Sequence, residues 1–167
     1  NPFEKQNDLY SKILGRKVKL YTKIEATSTE NSDSLKQWSV TVPASSIGYL
    51  YINKDATAGS YWPVALTIDQ RTIENEAWRF DNNIRQIADA SDAPSQHTVS
   101  IGVAEGYTEM PQDNEPVFYA LNLDVFKQII NELKTSEFIP TVFEDGRIEG
   151  EYTAKDDGNL LLSVPYD

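Results

Sequence analysis

A single imidazole, His97, sets the first limit on what this 167-residue chain can catalyse. A serine–histidine–aspartate triad would have to use it, and no Gly-x-Ser-x-Gly elbow supplies the nucleophile. One histidine also excludes His-Glu-x-x-His zinc sites and the two-histidine facial triad. Cysteine is absent, which removes thiolate catalysis, disulfides, cysteine-ligated zinc and iron–sulfur clusters. No Walker loop and no Gly-x-Gly-x-x-Gly occurs. The run Lys155-Asp156-Asp157-Gly158-Asn159 reads as a turn and not as a calcium loop. No cofactor and no metal is therefore expected. His97, opening a strand after a polar loop, reads as an ordinary surface or half-buried residue.

Carboxylates are harder to set aside, because 26 are available. Glycoside hydrolysis needs two acids at a suitable separation beside a surface on which a sugar can stack. Glu105 or Glu109, with Tyr61, Trp62, Trp78 and Tyr107, meets that description on paper. With so many acids, some pair always will.

The stretch EGYTEMPQDNEP, residues 105–116, offers recognition in place of chemistry. Tyr107 and Met110 are large side chains of the kind enriched at interfaces, set among Glu105, Glu109, Asp113 and Glu115. Those acids would steer a basic protein partner and speed its association. Pro111 and Pro116 limit the freedom of the segment and so lower the ordering cost of binding. In the plainer alternative, Tyr107 and Met110 fold back over the end of a sheet while the acids are merely solvated.

The charge distribution agrees with a basic partner. Residues 1–60 carry eight Lys/Arg against six Asp/Glu, whereas residues 61–167 carry seven against twenty. A net charge of −11, concentrated in the C-terminal part, argues against nucleic acid or anionic lipid as its ligand. Solubility alone would also account for an acidic surface. No apolar run approaches the roughly 20 residues that span a bilayer. The first residue is Asn1, which points to a trimmed or processed chain. A removed signal peptide would place it in the periplasm or outside the cell, with the cytoplasm still open. The lack of any Asn-x-Ser/Thr acceptor favours a bacterial source.

The elements that must position these residues follow from periodicity and turn chemistry. Residues 2–15 read as a helix, with Pro2 at its first position, Leu9, Tyr10, Ile13 and Leu14 inward, and Gly15 as its stop. Alternation predicts one strand over 17–27 and others over 36–42, 47–53 and 61–69, with a polar loop at 28–34. Pro63 suggests an edge or a bulge. Ile73, Ala77, Phe80, Ile84 and Ile87 are spaced 4, 3, 4, 3, which predicts a helix from Thr72 to about Ala90. Strands follow at 97–104 and 117–123. A short helix capped by Asp124 comes next, with Val125, Phe126, Ile129, Ile130 and Leu133 inward. Asp-Gly pairs at 145–146 and 157–158 predict a C-terminal β-meander. The fold class expected is α+β: one domain over 1–167, mainly antiparallel sheet, with two or three helices.

Three functions fit. One is a non-catalytic acidic protein of the inhibitor or immunity type that captures a basic protein. A second is a small-molecule or glycan-binding domain, or a carboxylate-dependent hydrolase, with Trp62, Trp78 and Tyr107 near its pocket. The third is a structural accessory domain of a bacterial envelope assembly. The order VALTIDQRTI, LNLDVFKQIINEL and FIPTVFEDG resembles small bacterial periplasmic β-sandwich proteins of the invasion-associated type, over roughly the last two-thirds of the chain. That resemblance implies a periplasmic sandwich, although the cysteines of that family are missing here.

Overall fold

A computed structural model describes residues 1–52, 61–79, 84–109, 116–134, 138–144 and 146–153, with the side chains of 61–63 and 74–79 left undescribed. Its strands form two antiparallel sheets packed face to face, plus a separate hairpin, with two helices. The α+β expectation holds.

The chain opens with helix α1 (Pro2–Ile13). Asn1 caps it by accepting the Phe3 N–H at 2.9 Å, Pro2 occupies its first turn, and Gly15 follows it at φ 61°. These are local signals, and they work as the sequence indicated. The buried face is wider than the expected one, of which Tyr10 and Leu14 do pack inward. Phe3 and Asn7 are buried while Leu9 stands half exposed.

The predicted strand over 17–27 is two strands in different sheets. Val18 and Leu20 are buried ahead of β1 (Tyr21–Ile24), and the chain then crosses to β2 (Ala26–Asn31). The polar run at 28–34 is therefore mostly strand and not loop. β2 is an edge, exposed and polar, with a bulge between Ser28 and Glu30; both features discourage a second chain from adding there. β3 (Leu35–Val42), β4 (Ser46–Tyr51) and β5 (Tyr61–Ile68) lie close to where alternation put them.

The helix expected over 72–90 does not exist. Asp69 and Gln70, at φ 50° and 68°, form a two-residue turn that sends the chain back along β5 as β6 (Arg71–Arg79). Two successive left-handed residues are the signature of a tight hairpin turn. The chain then enters the other sheet as β7 (Ile84–Ala88). Of the expected buried stripe, Ile73 and Ile84 are exposed and Ile87 reaches the core, while the Ala77 side chain and Phe80 lie outside the described part. Ile73 is the extra residue of a bulge between Leu66 and Thr67 of the facing strand, which turns it out of the ladder.

β8 (Ser95–Val103) and β9 (Val117–Asn122) complete the sheets. The orders are β1-β9-β4-β7 and β2-β3-β8-β5-β6. Between them, Leu50, Ile52, Ile87 and Phe118 of one sheet meet Trp38, Val40, Val64, Leu66, Val99 and Ile101 of the other. The smaller sheet is covered on its far face as well. Phe3 of α1 sits among Tyr21, Tyr49, Tyr51 and Tyr119, with ring centroids 4.7 Å from Tyr119 and 4.8 Å from Tyr21. That double burial explains why β4 and β9 read as nearly continuous apolar runs.

Helix α2 (Leu123–Lys134) closes a third cluster, where Ile129 meets Val18 and Leu20. Its cap is Asn122, whose Oδ1 accepts the N–H groups of Asp124 and Val125, so Asp124 lies in the first turn and is not the cap. Phe126, expected inward, is exposed. A hairpin of β10 (Ile139–Glu144) and β11 (Arg147–Glu151) turns through Gly146 at φ 73°. The meander's third strand, over 159–165, lies outside the described residues.

The tyrosine cluster gives the fold a measurable alkaline limit. Burial, together with the hydroxyl's 2.9 Å hydrogen bond to the Glu4 carboxylate, pushes Tyr119 up to about 12. Burial also raises Tyr21 and Tyr49. An unfolded tyrosine titrates near 10, so the folded state holds these protons after the unfolded chain has lost them. Their contribution is full below pH ~10 and is lost as pH rises above it, for Tyr119 toward about 12. Urea midpoints are expected to fall between those values, and Tyr119→Phe is expected to flatten the fall.

Candidate functional site

β8, β3, β4 and β7 run so that residues 103, 35, 51 and 84 lie toward one end of the sandwich, as their register requires. The connections 52–60, 80–83 and 104–116 therefore all start at that end. The candidate segment leaves β8 through a tight turn. Ala104 is buried, its carbonyl accepts the Tyr107 N–H at 3.2 Å, and Gly106 takes φ 81°. This turn fixes Tyr107 outward. Its side chain is 49% exposed, with Glu105, Thr108 and Glu109 exposed around it. The alternative in which Tyr107 and Met110 both fold back over the sheet turns on Met110 as well. Met110, Asp113 and Glu115 lie outside the described residues; Pro116, just ahead of β9, is buried.

Of the aromatic residues considered for a glycan pocket, only Tyr107 has a described side chain, and the third tryptophan lies elsewhere. Trp38 is core, its ring centroid 6.1 Å from that of Phe118. Trp62 and Trp78 stand opposite one another in the β5–β6 register, and Tyr61 opposite Arg79. The side chains of Tyr61, Trp62 and Trp78 lie outside the described part. Among the described residues, no three His, Asp or Glu side chains gather as a metal-binding group.

At the opposite end, the β5–β6 turn meets the start of β8. His97, read from sequence as unremarkable, has two close partners: Nδ1 lies 2.7 Å from Asp69 Oδ2 and Nε2 lies 2.8 Å from Ser95 Oγ. A signal was available, since Ser-x-His on a strand puts both side chains on one face. No Gly-x-Ser-x-Gly elbow accompanies it, and alternation alone places Asp69 only at a strand end. A cleft of about 420 Å³ adjoins Asp69, between Ile68 and Ile73 on one side and Ile87 and Ala88 on the other. It opens between β6 and β7, the last strands of their respective sheets. Arg71 and Asp89 stand at its wall.

No helix among the described residues is long and apolar enough to cross a membrane. No curated protein and no solved structure matches the chain. The invasion-associated resemblance thus gains no support beyond the sandwich itself. One family does match, and it does so over residues 1–167: the chain belongs to the family described as bacterial membrane protein YfhO.

Proposed function

We propose that this chain is an extracytoplasmic recognition domain of a bacterial membrane protein, binding a basic protein partner at the loop-bearing end of its sandwich. The observation that carries this reading is the outward presentation of Tyr107 by a turn anchored in the core, with Glu105 and Glu109 exposed beside it. A half-exposed tyrosine supplies contact area at a low ordering cost, and flanking carboxylates supply steering. Asp113 and Glu115 add charge of the same sign a few residues on. The net charge of −11 works in the same direction over longer range.

Two sets of substitutions test it, using tagged protein and solubilised membranes of the source organism. The native chain is expected to retain a basic protein at low salt and lose it as salt rises, because exposed charges are screened beyond ~8 Å at physiological ionic strength. Reversing Glu105, Glu109, Asp113 and Glu115 to lysine is expected to slow association with that protein about tenfold or more. Tyr107→Ala is expected to speed dissociation while leaving stability within about 0.5 kcal/mol, as for exposed sites generally. Retention that ignores both salt and charge reversal would remove this reading.

A further inference from the structure

The Ser95–His97–Asp69 line is ordered as a nucleophile relay. Asp69 is positioned by a reciprocal pair of backbone contacts: its N–H donates to the Thr98 carbonyl at 2.9 Å, and its Oδ1 accepts the Thr98 N–H at 2.8 Å. That leaves Oδ2 for His97 Nδ1 at 2.7 Å. An ionised carboxylate can only accept, so Nδ1 carries the proton, and in the neutral imidazole Nε2 then presents a lone pair. The Ser95 hydroxyl lies 2.8 Å from that lone pair. Carboxylate, imidazole and hydroxyl thus occur in the order, at the atoms and within the distances that convert a serine into a nucleophile.

The surroundings allow a substrate in. The His97 side chain is 17% exposed and Asp69 is 50% exposed, and Ser95 is partly open at the first position of β8. The rigidity comes from the sheet, because His97 is paired with Val40 of β3 across the ladder and Ser95 with Val42. Both of those valines are fully buried. Groups built on paired strands hold their separation better than groups on loops. A contact serving only to fasten the β5–β6 turn is already provided by Thr98, whose N–H and carbonyl take both of the Asp69 groups needed for it. The histidine and serine extend that line away from the turn.

We propose that Ser95 is a nucleophile for acyl transfer from small esters, with His97 as its general base and Asp69 as the group that orients the imidazole. In the first step Ser95 Oγ bonds to the ester carbonyl carbon and its proton passes to His97 Nε2. The bond from that carbon to the alcohol oxygen breaks, and the departing oxygen takes the proton from Nε2. In the second step water attacks the acyl carbon and gives a proton to Nε2. The bond to Ser95 Oγ then breaks, Oγ recovers the proton, and the carboxylic acid leaves. The net reaction is ester plus water to acid plus alcohol, with no change of oxidation state. This site lies at the end of the sandwich opposite Tyr107, so it stands independently of the recognition surface.

The test is covalent labelling of the full 167-residue chain by a fluorophosphonate, read by intact mass and by the modified peptide, with hydrolysis of p-nitrophenyl acetate alongside. The expected result is one label per chain, on Ser95, and none on Ser95→Ala. His97→Gln and Asp69→Asn are expected to slow labelling by about 100-fold or more, the usual contribution of a positioned base. An unlabelled native chain would overturn the proposal. So would labelling that Ser95→Ala retains, or a rate that His97→Gln leaves unchanged. Should His97→Gln fail to fold, the comparison of native protein with Ser95→Ala decides alone. That variant removes one hydroxyl at a partly open position, and its thermal transition shows whether the fold survives.

Discussion

Leu66→Ala is expected to lower the unfolding free energy by about 2–5 kcal/mol, the range for emptying a fully enclosed leucine site. Leu66 has no exposed surface and lies opposite Ile101 in the β5–β8 ladder. β5 is flanked by β8 on one side and β6 on the other, so its backbone has little room to close the void. The apolar cluster it belongs to joins the two sheets, so the loss falls on the contact that makes a sandwich of them. The midpoint of urea unfolding should drop with little change in slope, since the surface exposed on unfolding stays nearly the same. Leu9→Ala supplies the contrast. Leu9 is half exposed on α1, and its truncation should cost within about 0.5 kcal/mol. Equal losses for the two would contradict the packing described here, and would restore Leu9 to the buried face that helical periodicity first assigned it.

Asn7→Leu should be nearly as damaging despite adding apolar surface. Asn7 is buried on α1, and its amide meets the backbone of Tyr21 twice: Nδ2 donates to the Tyr21 carbonyl and Oδ1 accepts the Tyr21 N–H, both at 2.8 Å. β1 is the edge of its sheet, so these bonds do for Tyr21 what a further strand would have done. Leucine fills the space but offers neither bond, and each buried group left unsatisfied costs about 1–3 kcal/mol. Amide exchange at Tyr21 should accelerate along with the fall in global stability. An unchanged exchange rate at that amide would mean that α1 does not protect the edge. Ser11 reinforces the same junction, accepting the Val18 N–H at 2.8 Å and donating to the Asn7 carbonyl at 2.7 Å.

Local and long-range signals in this chain differ in what they reveal. Where a feature depends on neighbours in the chain, it was legible: Pro2 and Gly15 at the ends of α1, alternation through Trp38, Val40 and Val42, and a glycine turn at 146. The helix expected over 72–90 failed because helical spacing of Ile73, Ala77, Ile84 and Ile87 is also available to two strands that belong to different sheets. Pairing of β6 with β5 and of β7 with β4 decided the matter. The turn that made this pairing accessible contains Asp69 and Gln70, and it lacks the glycine that would have announced it. The single strand read over 17–27 failed for a related reason. Alternation survives a crossing from one sheet to the next, so it cannot reveal where the crossing occurs.

The candidate sites divide in the same way. Exposure of Glu105, Tyr107 and Glu109 was legible as a possibility, since a polar segment between two strands belongs at the surface. Whether Tyr107 turned inward or outward depended on a hydrogen bond to Ala104 and on the burial of Ala104 against strands from elsewhere. By itself the sequence determined the residue types available for chemistry, the acidic balance and the ends of the local elements, because these depend on composition and on contacts a few residues apart. Only the tertiary structure could bring Asp69 to His97, 28 residues away, and divide the described strands among their sheets. Long-range pairing is set by which buried surfaces close together at least cost, and that is a property of the whole chain.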